Sequence, residues 1–149
     1  MPPVHVLIKP ASSACNMACQ YCFYRDVSDH REHHFEGMLT LESMEKTIAA
    51  AMEFAEGSCT FGFQGGEPTL AGLDFFRKFM ELEAQFRTKD VGIGHAIQTN
   101  GLHINEEWAT FLKEHDYFGY NSDYITFFMQ EMAPASDYEG KVYMEEKNL

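Results

Sequence analysis

Apolar positions along this chain alternate between two periods. The run at residues 6–8, Val-Leu-Ile, is stopped by Pro10 and predicts a short buried parallel strand. Residues 26–37 are polar and rich in His, Arg and Glu, which predicts a solvated connection. Thr40 is placed to cap a helix with Glu42 in its first turn. Met44, Ile48, Ala51, Met52 and Ala55 then recur at helical spacing until Gly57. A second apolar run at residues 59–63 predicts strand two. Residues 73–87 predict the next helix, with Phe75, Phe76, Phe79, Met80 and Phe86 as a wide apolar stripe. Val91, Ile93, His95 and Ile97 alternate as strand three. Asn105 then caps a helix carrying Trp108, Phe111 and Leu112 on one face.

Strand and helix units in alternation predict an α/β fold, a parallel sheet with right-handed crossovers. In such sheets the chemistry lies beyond the C-terminal ends of the strands. Residues 119–149 show no fourth strand and no further alternation. Residues 125–132 predict a short amphipathic helix ended by Pro134, and the composition beyond Ala135 is acidic, polar and expected to fray. The expected organisation is therefore a strand–helix domain over 1–118 and a divergent tail over 119–149.

The length of 149 residues suits one domain. A net charge of −12, with only 11 Lys and Arg, argues against nucleic acid as a partner. No apolar run is long enough to predict a membrane span. The opening residues lack a basic segment followed by a long apolar core, so a secretory leader is not expected. The four cysteines are bunched rather than spread as a disulfide framework, which points to metal in a reducing compartment and so to the cytoplasm.

Three of those cysteines, Cys15, Cys19 and Cys22, stand in the run Cys-Asn-Met-Ala-Cys-Gln-Tyr-Cys just after strand one. A fully cysteine-ligated [4Fe–4S] cluster takes four thiolates, and structural zinc also takes four ligands. Three clustered thiols therefore point to a cluster with one iron left open to a small molecule. The competing reading is zinc, with one of His30, His33 or His34 as the fourth ligand. Zinc favours two-residue gaps between paired cysteines, and the first gap here is three. The remaining Cys59, inside strand two, reads as a small buried hydrophobe. The stretch His30-Arg31-Glu32-His33-His34 reads as a solvated loop.

Two further motifs fall at strand ends: Gln64-Gly65-Gly66-Glu67-Pro68 after strand two, and Ile97-Gln98-Thr99-Asn100-Gly101 after strand three. With the cysteine run, its trailing Phe23-Tyr24 and the preceding segment from Leu7 to Ser13, they resemble the radical S-adenosylmethionine (SAM) enzymes. Within these the chain looks most like the anaerobic sulfatase-maturating enzymes. The similarity runs from Met1 to about Phe118. It implies a fold of parallel strand–helix units forming about half of a partial (β/α)6 barrel. It also implies that Cys15, Cys19 and Cys22 hold a [4Fe–4S] cluster whose fourth iron is chelated by SAM. Electron transfer to the sulfonium would then release a 5′-deoxyadenosyl radical.

By the same resemblance, Gly65 and Gly66 present backbone groups to the SAM ammonium, with Glu67 assisting and Pro68 fixing the bend. An ordinary strand-to-helix turn would use the same residues. Tyr21 would make a backbone contact and Tyr24 an aromatic contact near the adenine; a core aromatic is the alternative for Tyr24. Gln64 and Gln98 would point into the SAM and substrate cleft, against a reading as satisfied core glutamines. Ser122 falls where an ungapped register places a serine at the SAM methionyl group.

The implied activity is oxidation of a sulfatase Cys or Ser to formylglycine, with a sulfatase polypeptide as substrate and a flavodoxin or ferredoxin as electron donor. The family's catalytic base lies later in its chain, as do the extra clusters carried by many more cysteines, and no motif here matches them. The catalytic base is left unassigned. Residues 123–128 resemble the family's final helix, which implies an internal deletion. Two other readings stand beside the maturase: a non-catalytic [4Fe–4S] and SAM-binding fragment, and a compact radical SAM activase.

Overall fold

The computed structural model describes residues 3–119 and 121–124. The chain divides into two compact units, Met1–Gly119 and Tyr120–Leu149. The described part of the first runs β1 (Val4–Ile8), α1 (Phe23–Asp29), α2 (Leu41–Phe54), β2 (Ser58–Phe63), α3 (Leu73–Phe86), β3 (Gly92–Ile97) and α4 (Glu106–Glu114). Short 3₁₀ turns add Pro68–Ala71 and Asp116–Gly119. In the second unit, Ser122–Tyr124 forms a 3₁₀ turn, and the helix expected at 125–132 lies outside the described residues.

The three strands form one parallel sheet in the order β1-β2-β3. Register places Phe61 between Val6 and His95 in one row, and Phe63 between Ile8 and Ile97 in another. Because strand side chains alternate in direction, these rows share one face. That face carries the core, and β2 shows the pattern plainly: Cys59, Phe61 and Phe63 are buried, while Ser58, Thr60 and Gly62 are only partly so. The opposite row, Leu7, Gly62 and Ala96, lies on the other face, where Leu7 is 59% exposed. The sheet is thus covered on one face only among the described residues.

Helices α2 and α3 cover that face. Thr40 caps α2 by accepting the Ser43 amide at 3.2 Å, and Met44, Ile48, Ala51 and Met52 turn inward as the periodicity predicts. From α3, Phe76 and Phe79 meet the strand phenylalanines edge to face. Phe63 lies 5.2 Å from Phe76 and 5.0 Å from Phe79 between ring centroids, and Phe61 lies 5.1 Å from Phe79. Such pairs contribute about 0.5–1.5 kcal/mol each beyond the area they bury. Phe76 also meets Trp108 of α4 at 5.0 Å, which ties the last helix to the same aromatic cluster. Asn105 caps α4 through the amides of Glu107 and Trp108, both at 3.1 Å.

One local expectation is corrected. The connection predicted over 26–37 begins inside a helix, α1, for which Cys22 is the N-cap residue. The Cys22 carbonyl accepts the amides of Arg25 and Asp26, both at 3.2 Å, and so starts the turn. Phe23 and Val27 share one side of this helix but are exposed, so no buried stripe announces it.

Candidate functional site

All three strands end on the same side of the sheet, and the ladder continues one residue past each of the last two. The Gln64 amide donates to Ile8 at 3.0 Å, and the Gln98 amide donates to Phe63 at 2.9 Å. This brings the cysteine loop, the Gly65-Gly66-Glu67-Pro68 turn and the Thr99-Asn100 segment together at the C-terminal edge.

The cysteine loop leaves β1 through a tight bend, with Ser12 at φ +51° and the Ala14 amide bonded to the Ala11 carbonyl at 2.9 Å. The Gly-Gly turn is locked onto that loop. The Glu67 amide donates to the Ala14 carbonyl at 2.7 Å. Gly66, at φ +56°, lies so close that a Cβ there would sit 2.2 Å from the same oxygen. Gly65, at φ +85°, packs against the Lys9 stem, where a Cβ would be 2.8 Å from Cδ. Lys9 continues from there to place its ammonium 4.8 Å from the Tyr24 ring centroid, a cation–π contact.

Glu67 is buried to 1% exposure, yet its carboxylate is fully engaged. Oε1 accepts the Thr69 amide at 3.0 Å, the Thr69 hydroxyl at 2.7 Å and the Thr99 hydroxyl at 2.7 Å. Oε2 accepts the Asn100 amide at 2.7 Å. Burial pushes its pKa up, but these hydrogen bonds, led by the Asn100 amide, outweigh burial and hold the carboxyl below its usual value. Glu67 thus staples the end of β2 to the end of β3. Thr99 and Asn100 stand in the motif after strand three and Lys9 in the segment before the cysteines, but the sequence assigned no role to them or to Thr69. For Thr69 the signal is the Glu-x-Thr spacing, which lets Glu67 cap the following 3₁₀ turn.

A cleft of about 480 Å³ opens beside this edge, with Ala14, Cys15, Cys22, Tyr24, His34 and Gly66 in its wall. Cys15 is exposed, and Cys19 and Cys22 are partly so. All three are free thiols. Among the described residues no three His, Cys, Asp or Glu side chains stand close enough together to hold a metal ion. The donor set nonetheless suits an iron–sulfur cluster: three unpaired thiols on one short loop, two of them in the cleft wall.

Tyr21 projects outward at 91% exposure, while Tyr24 is partly buried beside Lys9. Gln64 is half-buried and Gln98 exposed, so Gln98 is no core glutamine. Ser122 is an exposed residue of the second unit. His30, His33 and His34 are exposed; His30 bonds the Asp26 carbonyl at 2.7 Å and His34 faces Asp29 at 3.7 Å. Cys59 is fully buried, and burial pushes its thiol pKa up. No described helix is long and apolar enough to cross a membrane.

A parallel α/β sheet with a three-thiol loop and a glycine turn at its C-terminal edge defines a strand–helix class of protein. The Radical SAM superfamily model matches residues 10–139, and the chain belongs to that superfamily. It is 49% identical over 117 residues to a cysteine-type anaerobic sulfatase-maturating enzyme of Clostridium perfringens (strain ATCC 13124), covering 78% of this chain and 32% of that protein. A serine-type anaerobic sulfatase-maturating enzyme of Klebsiella pneumoniae is 37% identical over 115 residues, covering 77% and 29%. The solved structure of native anSMEcpe with bound AdoMet and Cp18Cys peptide superposes with a TM-score of 0.67 at 47% identity, covering 76% of this chain and 29% of that one. The chain thus spans about a third of the length of these relatives, and its three parallel strands with their helices form about half of a radical SAM partial barrel.

Proposed function

We propose that this chain is a radical SAM iron–sulfur protein of the anaerobic sulfatase-maturase type. Cys15, Cys19 and Cys22 hold a [4Fe–4S] cluster, and SAM lies in the adjoining cleft. When bound, the pair supplies reductive cleavage of SAM to a hydrogen-abstracting radical. The observation that carries the reading is the lock between the two loops: the Glu67 amide on the Ala14 carbonyl at 2.7 Å, with Gly66 at closest approach.

The chain's own residues divide the binding work. Gly65 and Gly66 present their peptide groups to SAM, and neither position has room for a Cβ, which would meet the Lys9 stem at Gly65 and the Ala14 backbone at Gly66. Glu67 acts from below, holding the turn to β3 while its two oxygens are engaged by protein donors. Tyr24, with Lys9 over its ring, walls the adenine side, and Tyr21, Gln64 and Gln98 complete the SAM surroundings. Residues 1–118 carry this binding unit and 119–149 the divergent tail.

The substrate of the whole reaction is a sulfatase polypeptide whose Cys or Ser is oxidised to formylglycine, with a flavodoxin or ferredoxin as electron donor in the cytoplasm. A second reading is a [4Fe–4S] and SAM-binding unit that does not itself complete that oxidation, since the residues gathered at the sheet edge are assigned binding roles and none is a catalytic base.

Anaerobic reconstitution with iron and sulfide tests the proposal. The expected product is a brown protein with about four irons per chain, whose reduced electron paramagnetic resonance (EPR) signal changes when SAM is added. Replacing Cys15, Cys19 and Cys22 together by Ala removes both. Zinc near one per chain without iron uptake overturns the reading. Formylglycine formation on a sulfatase peptide separates the maturase from the binding unit.

A further inference from the structure

Asn100 follows β3 at the edge of the site, where its backbone amide and both side-chain polar atoms are engaged. Its backbone amide is held by Glu67 Oε2 at 2.7 Å. Its Oδ1 accepts the Leu102 amide at 3.0 Å, closing a local turn. Its Nδ2 donates to Asn16 Oδ1 at 2.8 Å and to the Cys15 sulfur at 3.8 Å. The chain Glu67–Asn100–Cys15 therefore runs from the buried staple under the glycine turn to the first thiol of the loop.

We propose that Asn100 is a positioning residue for Cys15, donating its side-chain N–H to that sulfur while Glu67 fixes it at the end of β3. The inference rests on the reading of Cys15 as a cluster ligand. Partners in the outer shell of a metal site orient its ligands and tune the metal. A hydrogen bond to a ligating sulfur favours the state carrying more negative charge, which is the reduced cluster, and so raises the reduction potential. Asn16 serves the same arrangement, since its Oδ1 takes the second Nδ2 proton and fixes the amide's orientation.

Two substitutions separate the donor from the fold. Asn100→Asp keeps the backbone amide for Glu67 and an acceptor for Leu102, but it loses the donor and adds a negative charge. Asn100→Ala loses the donor without adding charge. With the full chain reconstituted, iron content and midpoint potential are measured by EPR-monitored titration. Both variants are expected to take up iron as the unaltered chain does and to titrate at more negative potentials, Asp lower than Ala. Potentials equal to that of the unaltered chain, at equal iron content, overturn the proposal.

A third measurement compares the unaltered protein with Asn100→Asp. With asparagine labelled by ¹⁵N only at its side-chain amide, pulsed EPR of the reduced unaltered protein is expected to show a nitrogen coupling to the cluster. The variant loses that coupling, which sets Asn100 apart from Asn16. Absence of that coupling also overturns the proposal. If the unaltered chain takes up no iron, the cluster assignment itself has failed. A normal cluster with unmoved potentials defeats only the role given to Asn100.

Discussion

Gly66 touches Ala14: its missing Cβ would stand 2.2 Å from the Ala14 carbonyl oxygen, the atom that also accepts the Glu67 amide at 2.7 Å. No rotamer relieves that approach, because both partners are backbone. The glycine is therefore required by loop-on-loop packing as well as by its φ of +56°.

Gly66→Ala should lower stability by about 2 kcal/mol or more, since a left-handed non-glycine residue costs about 1–2 kcal/mol and overpacking adds to it. The same push displaces Ala14 and with it Cys15, so iron uptake should fall alongside the melting temperature. Gly37, also at positive φ but with nothing within 4 Å of its Cβ position, is the control. Gly37→Ala should cost only the backbone term and leave iron uptake intact. Equal iron loss in both variants would contradict the packing argument.

Glu67→Gln keeps the shape of the side chain but turns an NH₂ group toward donors. The expected loss is about 2–3 kcal/mol at neutral pH, the range for hydrogen bonds to a charged group. The folded carboxyl titrates below its usual 4.5, so its contribution is complete above that pH and disappears as pH falls through the lower folded value. Denaturant melts at about pH 7 and at successively lower pH should show the gap between wild type and variant closing only below 4.5. A gap independent of pH would mean that the carboxylate charge contributes nothing.

Glu83 and His95 form a second polar pair, on the helix-covered face rather than at the site. Glu83 Oε2 lies 2.5 Å from His95 Nε2, with side-chain exposures of 8% and 12%. Glu83→Ala should cost about 2–3 kcal/mol by removing the carboxylate from an imidazole packed between Phe61 and Phe79. SAM affinity of the surviving folded protein should be unchanged, which isothermal titration under reducing conditions would check.

At the start of α4, Asn105→Ala removes the acceptor for two amides and should cost about 1 kcal/mol, with Asn105→Ser recovering most of it. Thermal melts of the three proteins decide this. A loss shared equally by Ala and Ser would place the effect outside the cap.

Much of the fold was legible because its signals are local. Thr40 and Asn105 announce their helices by capping, and Met44, Ile48 and Met52 bury at the spacing the sequence shows. Helix α1 was not legible: it has seven residues, and Phe23 and Val27 face solvent, so no apolar stripe exists to be read. Glu83 stands outside the apolar stripe of α3 and yet is buried, because its partner His95 comes from β3. The three thiols were legible as a group because they fall within eight residues, and the two motifs at the other strand ends pointed to the same edge. The Glu67 staple was not, since Thr99 and Asn100 lie 32 and 33 residues away and no local period links them.

That staple has an evolutionary consequence. One carboxylate serves four donors, the amides of Thr69 and Asn100 and the hydroxyls of Thr69 and Thr99; replacing either threonine leaves a buried charge less well satisfied, and replacing Glu67 strands all four donors at once. Their effects are bound to be non-additive. Drift at these positions is therefore epistatic: the glycine turn and the end of β3 can diverge only in concert, and a lineage that exchanged one of them alone would pass through a weakened intermediate.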